Sequence, residues 1–304
     1  MRLKDLKIHY LEYLEIEKNR SAKTLENYNR YLDRFLGFVK TDNLSSVNEE
    51  TIRQYRLYLN RLKDADGNLL KKVTQNYHII ALRNFLKYLA KRDIKSVSAE
   101  KIELGKQEQR EVTFLEPDEL QRLLDSPEGN NLASLRDRAL LTTLFSTGMR
   151  VSELCSLDRN KIDVNRGEVG IRGKGGKIRV VFLSDNTKKY LKDYIDKRPD
   201  ADEALFIRIP KSKIFNKDSD LRLTPRSIQR IIKKHSIKAG IMGKNVSPHT
   251  LRHSFATDLL RNGADIRSVQ AMLGHSSVTT TQIYTHITDK ALRETHKKFH
   301  GRGK

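Results

Sequence analysis

A chain of 304 residues with 59 lysines and arginines against 38 aspartates and glutamates is long enough for two domains, each with its own core. Its net charge of +21 is far from a neutral enzyme's balance and favours a polyanionic partner, either nucleic acid or an anionic membrane surface. No run approaches the roughly 18 consecutive apolar residues of a membrane span. The first ten residues, MRLKDLKIHY, lack a signal peptide's apolar core, and the single cysteine, Cys155, excludes an internal disulfide and any multi-cysteine zinc site. The expectation is a soluble protein of a reducing compartment, the cytoplasm.

The charge is spread along the chain, +8 over residues 1–110 and +13 over the rest, so both halves can face DNA. In chain order, Leu3, Leu6, Tyr10, Tyr13 and Leu14 share one face of a first helix. Leu25, Tyr28, Leu32, Phe35 and Val39 mark a second, with Ser21 or Thr24 as its cap. Asn48 caps a third through Ile52, Tyr55, Leu59 and Leu62. A turn at 64–68 leads to a fourth, with Val73, Tyr77, Ile80, Asn84 and Tyr88 in register. Residues 1–95 therefore read as a small helical domain. The periodicity lapses over 96–112, the expected linker, and residues 113–304 form a second domain. Two flexibly joined basic domains can close around a duplex as a clamp.

In the second domain Pro117 opens a helix, and Leu135 to Leu144 make a longer, strongly apolar one. Glu168–Ile171 and Lys177–Leu183 then read as the strands of a hairpin turning through Gly173-Lys174-Gly175-Gly176. Helices resume at 186–197, 224–239, 248–261, 266–272 and 291–299. The fold class is mainly α, with one small antiparallel hairpin.

Three segments concentrate Arg, His and Tyr. In TGMRVSEL, Arg150 leaves an apolar helix through a glycine. In PHTLRHSFAT, His249 and Arg252 are three apart on one helical face. His275 follows Leu273-Gly274, and Tyr284 comes nine residues later. Lys174 lies in the hairpin turn. These residues share one chemistry. A phosphodiester attacked at phosphorus gathers negative charge on its non-bridging oxygens, which guanidinium forks match in shape and sign. A tyrosine hydroxyl activated by cations or a base can be the nucleophile, and a lysine or histidine can protonate the departing 5′ oxygen. The phosphotyrosine keeps the ester energy, so the strand reseals without ATP.

On these residues the chain resembles the tyrosine recombinase and phage integrase family, most closely its Xer-type members. In the N-terminal half, SAKTLENY running on to Phe35 resembles the family's SAM-like core-binding domain. In the catalytic half, Arg150 in TGMRVSEL, Lys174 in GKGGK, His249 and Arg252 in HTLRHSFAT, and His275 and Tyr284 in MLGHSSVTTTQIYTH match the family's catalytic set in order. Glu153 matches the supporting acidic residue, though a helix-surface salt bridge explains it almost as well. The resemblance implies a site-specific recombinase acting on double-stranded DNA through a 3′-phosphotyrosine at Tyr284, without metal, nucleotide or other cofactor. Chromosome- or plasmid-dimer resolution and mobile-element integration or excision are the jobs such enzymes do, at the nucleoid. It also implies a homo-oligomer, four protomers in the synapse, joined through residues 286–299.

The alternatives are weaker. His249 and His253 have a zinc-ligand spacing, but Arg252 between them would be repelled by a dication. His253 suits a core or supporting role, and Cys155 beside Leu154 suits packing. A metal-dependent nuclease would need clustered carboxylates, which the sequence lacks. The basic stretch from Arg208 to Arg222 is longer than a compact member of the family needs.

Overall fold

A computed structural model describes residues 2–64, 66–106, 113–173, 178–210 and 220–274. Lys174, His275, Tyr284, segment 286–299 and the helix expected at 291–299 lie outside the described residues. The chain divides into two compact units, Met1–Arg110 and Glu111–Lys304.

The first unit packs α1 (Leu3–Ile16), α2 (Ala22–Val39), α3 (Glu49–Arg61) and α4 (Lys72–Lys91) around an aromatic core. Ser21 occupies the N-cap position of α2. Asn48 caps α3, its side-chain oxygen accepting the Thr51 N–H at 2.8 Å, with Glu49 and Glu50 in the first turn where the helix dipole favours them. Tyr10, Phe35, Tyr55 and Phe85 are buried, and the Tyr10 and Phe85 rings lie 5.5 Å apart in a tilted pair. His78 is buried with them between Tyr55 and Arg34, and burial together with the Arg34 charge pushes its pKa down to about 4.

The sequence register of α4 needs correcting. Of the expected positions Tyr88 joins the core stripe of Ile79, Leu82, Phe85, Leu86 and Leu89, whereas Val73, Tyr77, Ile80 and Asn84 sit at its more open side, Tyr77 being half exposed. The helix carries two apolar stripes one residue apart, and the richer one meets α2 and α3. Past α4, Ala99 and Ile102 also join this core, and Asn76 exchanges hydrogen bonds with the backbone of Gly105 at 2.8 and 3.1 Å.

The second unit is built on α6 (Leu132–Thr147), which packs against α8 (Asp185–Asp196) and α10 (Pro248–Arg261). Because it is covered on several sides, α6 is apolar over most of its surface, and Thr142, Thr143 and Thr147 satisfy their hydroxyls on carbonyls one turn back. Around it stand α5 (Pro117–Asp125), α7 (Val151–Cys155), α9 (Pro225–Lys238) and α11 (Ile266–Leu273). Proline opens α5, α9 and α10, at the position where a missing N–H costs nothing. Strands β1 (Glu168–Arg172) and β2 (Ile178–Phe182) form an antiparallel pair in which Ile171 faces Arg179 and Val169 faces Val181. A buried polar chain links α5, α6 and α9: Ser126 Oγ lies 2.9 Å from His235 Nδ1, and His235 Nε2 lies 2.9 Å from Asp137.

The feet of the basic excursion are joined. The Arg208 N–H donates to the Leu221 carbonyl at 2.7 Å, and Arg222 donates to the carbonyls of Cys155 and Leu157. Residues 211–219 between them lie outside the described residues. No helix among the described residues is long and apolar enough to cross a membrane.

Candidate active site

Arg150 is aimed by the end of α6. That helix stops at Gly148 in the left-handed region (φ 58°), where a Cβ would lie 2.3 Å from Phe255 Cδ1. Only glycine satisfies both the dihedral and the close approach of α10. Met149 anchors the turn in the core, and Arg150 is extended (φ −73°, ψ 149°) just before α7. Glu153, one turn on, accepts the Arg150 backbone N–H at 2.7 Å and its Nη1 at 3.0 Å.

Glu153 is buried, 6% exposed, so it is no surface salt-bridge residue. Burial opposes its ionisation, but hydrogen bonds from Arg179 and Arg150 outweigh this and hold its carboxyl below the usual range. Arg179, from β2, was not among the residues expected from the sequence. Strand alternation turns it to the inner face beside Val181. The available signal was a charged residue at an inward strand position, legible only once the buried face is known.

His249 and Arg252 come from the first turns of α10, where the Ser247 hydroxyl accepts the Thr250 N–H. Arg252 is 5% exposed and donates to the Gly148 and Leu273 carbonyls, both at 2.6 Å. These carbonyls end α6 and α11, so the guanidinium sits at the negative ends of two helix dipoles. Burial first, then the charges of Arg252 and Arg150, lower the pKa of His249 and favour a neutral imidazole. His253 is driven to about 4 by burial, with His249 and Arg252 adding to it. Cys155 is half-buried against the core, and burial pushes its thiol up to about 11, the reverse of an activated nucleophile.

The forks of the two arginines meet at the end of α11. Arg150 Nη2 donates to the Gly274 carbonyl at 3.2 Å while Arg252 reaches Leu273. Gly274 (φ 62°) is the last described residue, and His275 follows it in the sequence. Arg150, Glu153, His249 and Arg252 are thus brought together, and the chain from which Tyr284 comes departs from the same point. Two guanidiniums beside the His249 imidazole can bind a phosphodiester and stabilise charge on its oxygens.

Comparison with known proteins finds matches over both units. Residues 113–291 match the family model described as the phage integrase family, and residues 8–93 match its N-terminal SAM-like domain. Tyrosine recombinase XerD of Oceanobacillus iheyensis is 36% identical over 302 residues, covering 96% of this chain and 97% of its own. Tyrosine recombinase XerC of Bacillus subtilis is 36% identical, covering 96% and 95%. The crystal structure of XerH site-specific recombinase bound to a palindromic difH substrate, a post-cleavage complex, matches with a TM-score of 0.67 and 27% identity over 91% of this chain and 80% of the other.

Proposed function

The chain belongs to the phage integrase family, and from that premise we propose a residue-by-residue division of labour for a site-specific DNA recombinase. The enzyme breaks and rejoins duplex DNA and exchanges strands between two sites. In our reading Tyr284 attacks the scissile phosphorus, giving a 3′-phosphotyrosine and a free 5′ hydroxyl. Arg150 and Arg252 hold the non-bridging oxygens, His249 and His275 hydrogen-bond the same phosphate, and Lys174 gives the leaving 5′ oxygen its proton. Resealing runs the same steps backwards on a new 5′ end, so no cofactor enters.

The observation that carries this reading is the meeting of the Arg150 and Arg252 forks at the Leu273 and Gly274 carbonyls, one residue before His275. Exchange between two duplexes cuts four strands, and each chain has one Tyr284, so four copies fit one reaction. The working place follows from the substrate: the nucleoid, in the cytoplasm.

The test uses a nicked duplex carrying the sequence that the protein itself selects from a random duplex pool. The nick lets the 5′ fragment diffuse away, trapping the adduct. The wild type should form a protein–DNA adduct that survives denaturant and resists chelator, and Tyr284→Phe should bind the duplex but form none. An adduct in Tyr284→Phe, or loss of wild-type adduct with chelator, would overturn the reading.

A further inference from the structure

The carboxylate of Glu153 accepts four N–H donors, two from each of two arginines. Arg150 supplies its backbone N–H and Nη1. Arg179 supplies Nη1 to Oε1 at 2.9 Å and Nη2 to Oε2 at 2.7 Å, a two-pronged pair. Its remaining guanidinium nitrogen, Nε, donates to the Met272 carbonyl at 3.0 Å. The side chains of Arg179 and Glu153 are 11% and 7% exposed, so water competes weakly for either. Gly274 fits the same wedge, since a Cβ there would lie 3.0 Å from Arg179 Cδ.

Charge counting gives this arrangement a purpose. One carboxylate faces two guanidiniums, so the group keeps a net positive charge. With Arg179 neutralising Glu153, the carboxylate can orient Arg150 without cancelling its attraction for a phosphate. Without Arg179, Glu153 would be left either as an anion compensated by Arg150 alone or as a buried neutral acid. The same side chain joins three pieces: strand β2, the Arg150 turn, and the end of α11.

We propose that Arg179 is a positioning residue of the recombination reaction, setting the aim and the free charge of Arg150 through Glu153 and fixing the end of α11 through Met272. The inference rests on the reading of Arg150 as a phosphate-binding residue. Arg179 itself has no contact with DNA in this scheme.

The test measures adduct formation on the nicked duplex, duplex affinity and thermal unfolding for the full-length wild type, Arg150→Ala, Arg179→Met, Arg179→Lys and the double variant Arg179→Met/Glu153→Gln. A misaimed phosphate ligand costs on the order of 10²-fold, so Arg179→Met should cleave about that much more slowly at pH 7 with duplex affinity nearly unchanged. The distinctive readout is pH. In the wild type the Arg179 and Arg150 contacts keep the Glu153 carboxyl low, leaving it ionised throughout pH 6–9. In Arg179→Met the buried acid should titrate higher, and because only its ionised form accepts from and aims Arg150, the ratio of wild-type to variant rate should shrink as pH rises from 6 to 9. The double variant has no such group, and its ratio should stay flat. Arg179→Lys keeps the charge without the fork and should be intermediate.

Arg179→Met at the wild-type rate, or with a pH-independent rate ratio, overturns the proposal if Arg150→Ala is inactive. An Arg150→Ala variant that cleaves normally overturns the reading of the site instead. Should Arg179→Met fail to unfold cooperatively, Arg179→Lys decides: slower cleavage at unchanged affinity supports the proposal, and the wild-type rate refutes it.

Discussion

Among the described residues Arg252 is the most enclosed cation of the site, and its position shows why arginine rather than lysine serves there. Two prongs of its planar head end on carbonyls belonging to two helices, which a single ammonium could not span in the same plane. Such a head does not give up a proton near neutral pH, so the acid of the reaction has to be another residue. Lys174 is our candidate because lysine can lose its proton when burial or neighbouring cations lower its pKa. Lys174→Ala should slow cleavage by about 10²–10⁴-fold, the usual effect of losing a general acid, while binding changes little. A substrate with sulphur in place of the bridging 5′ oxygen should restore that variant, because a thiolate leaves without a proton. The same substrate should do nothing for Tyr284→Phe. Rescue of His275→Ala or His249→Ala in place of Lys174→Ala would assign the proton to a histidine.

Among the elements, the junction of α6 with α10 controls where Arg150 and Arg252 point. The Gly148 carbonyl accepts from Arg252, its left-handed dihedral directs the chain toward Arg150, and the space a side chain would need is filled by Phe255. Phe255 also belongs to the small cluster with Leu260, Val269 and Leu273 that holds α11 on α10. Gly148→Ala therefore combines a dihedral penalty of about 1–2 kcal/mol with displacement of a packed ring. We expect a lowered unfolding midpoint and a loss of adduct formation larger than the loss of duplex affinity. Calorimetry and the nicked-duplex assay would check both, and a variant as stable and as active as the wild type would show that α10 yields freely at this point.

For the whole molecule the dominant property is charge, +8 in the first 110 residues and +13 beyond. If both units hold the duplex, each neutralised phosphate releases condensed counterion, and affinity should fall steeply as salt rises. Fragments 1–106 and 113–304 should each bind more weakly than the full chain and show shallower salt dependence. Affinity titrations of all three across a salt series would test this. A fragment that matches the full protein in both affinity and slope would leave the clamp without support.

Secondary structure and the shared face of His249 and Arg252 were legible because they depend on short-range rules. Asn48, Pro117 and Pro248 mark helix starts through local hydrogen-bonding needs, and the i, i+3 spacing of His249 and Arg252 fixes their shared face. The hairpin followed from β-formers on either side of a glycine-rich turn, and its described strands span Glu168–Arg172 and Ile178–Phe182. Which face each element buries was not decided locally. Alternation in β2 alone would bury Ile178, Val180 and Phe182, yet these are 74%, 47% and 53% exposed while Arg179 and Val181 turn inward. The reversal has a long-range cause. A buried Glu153 carboxylate needs a counter-charge, and only the opposite face of β2 places a guanidinium on it and on the Met272 carbonyl. The α4 register shifted for a related reason, its two apolar stripes being separated only by what α2 and α3 bring against them. Helix starts and the strands of the hairpin were thus written in the sequence, because hydrogen bonds and periodicity act over a few residues. The burial of Glu153 and the recruitment of Arg179 belong to the tertiary structure, because the cost of a buried charge is set by groups far away in the chain.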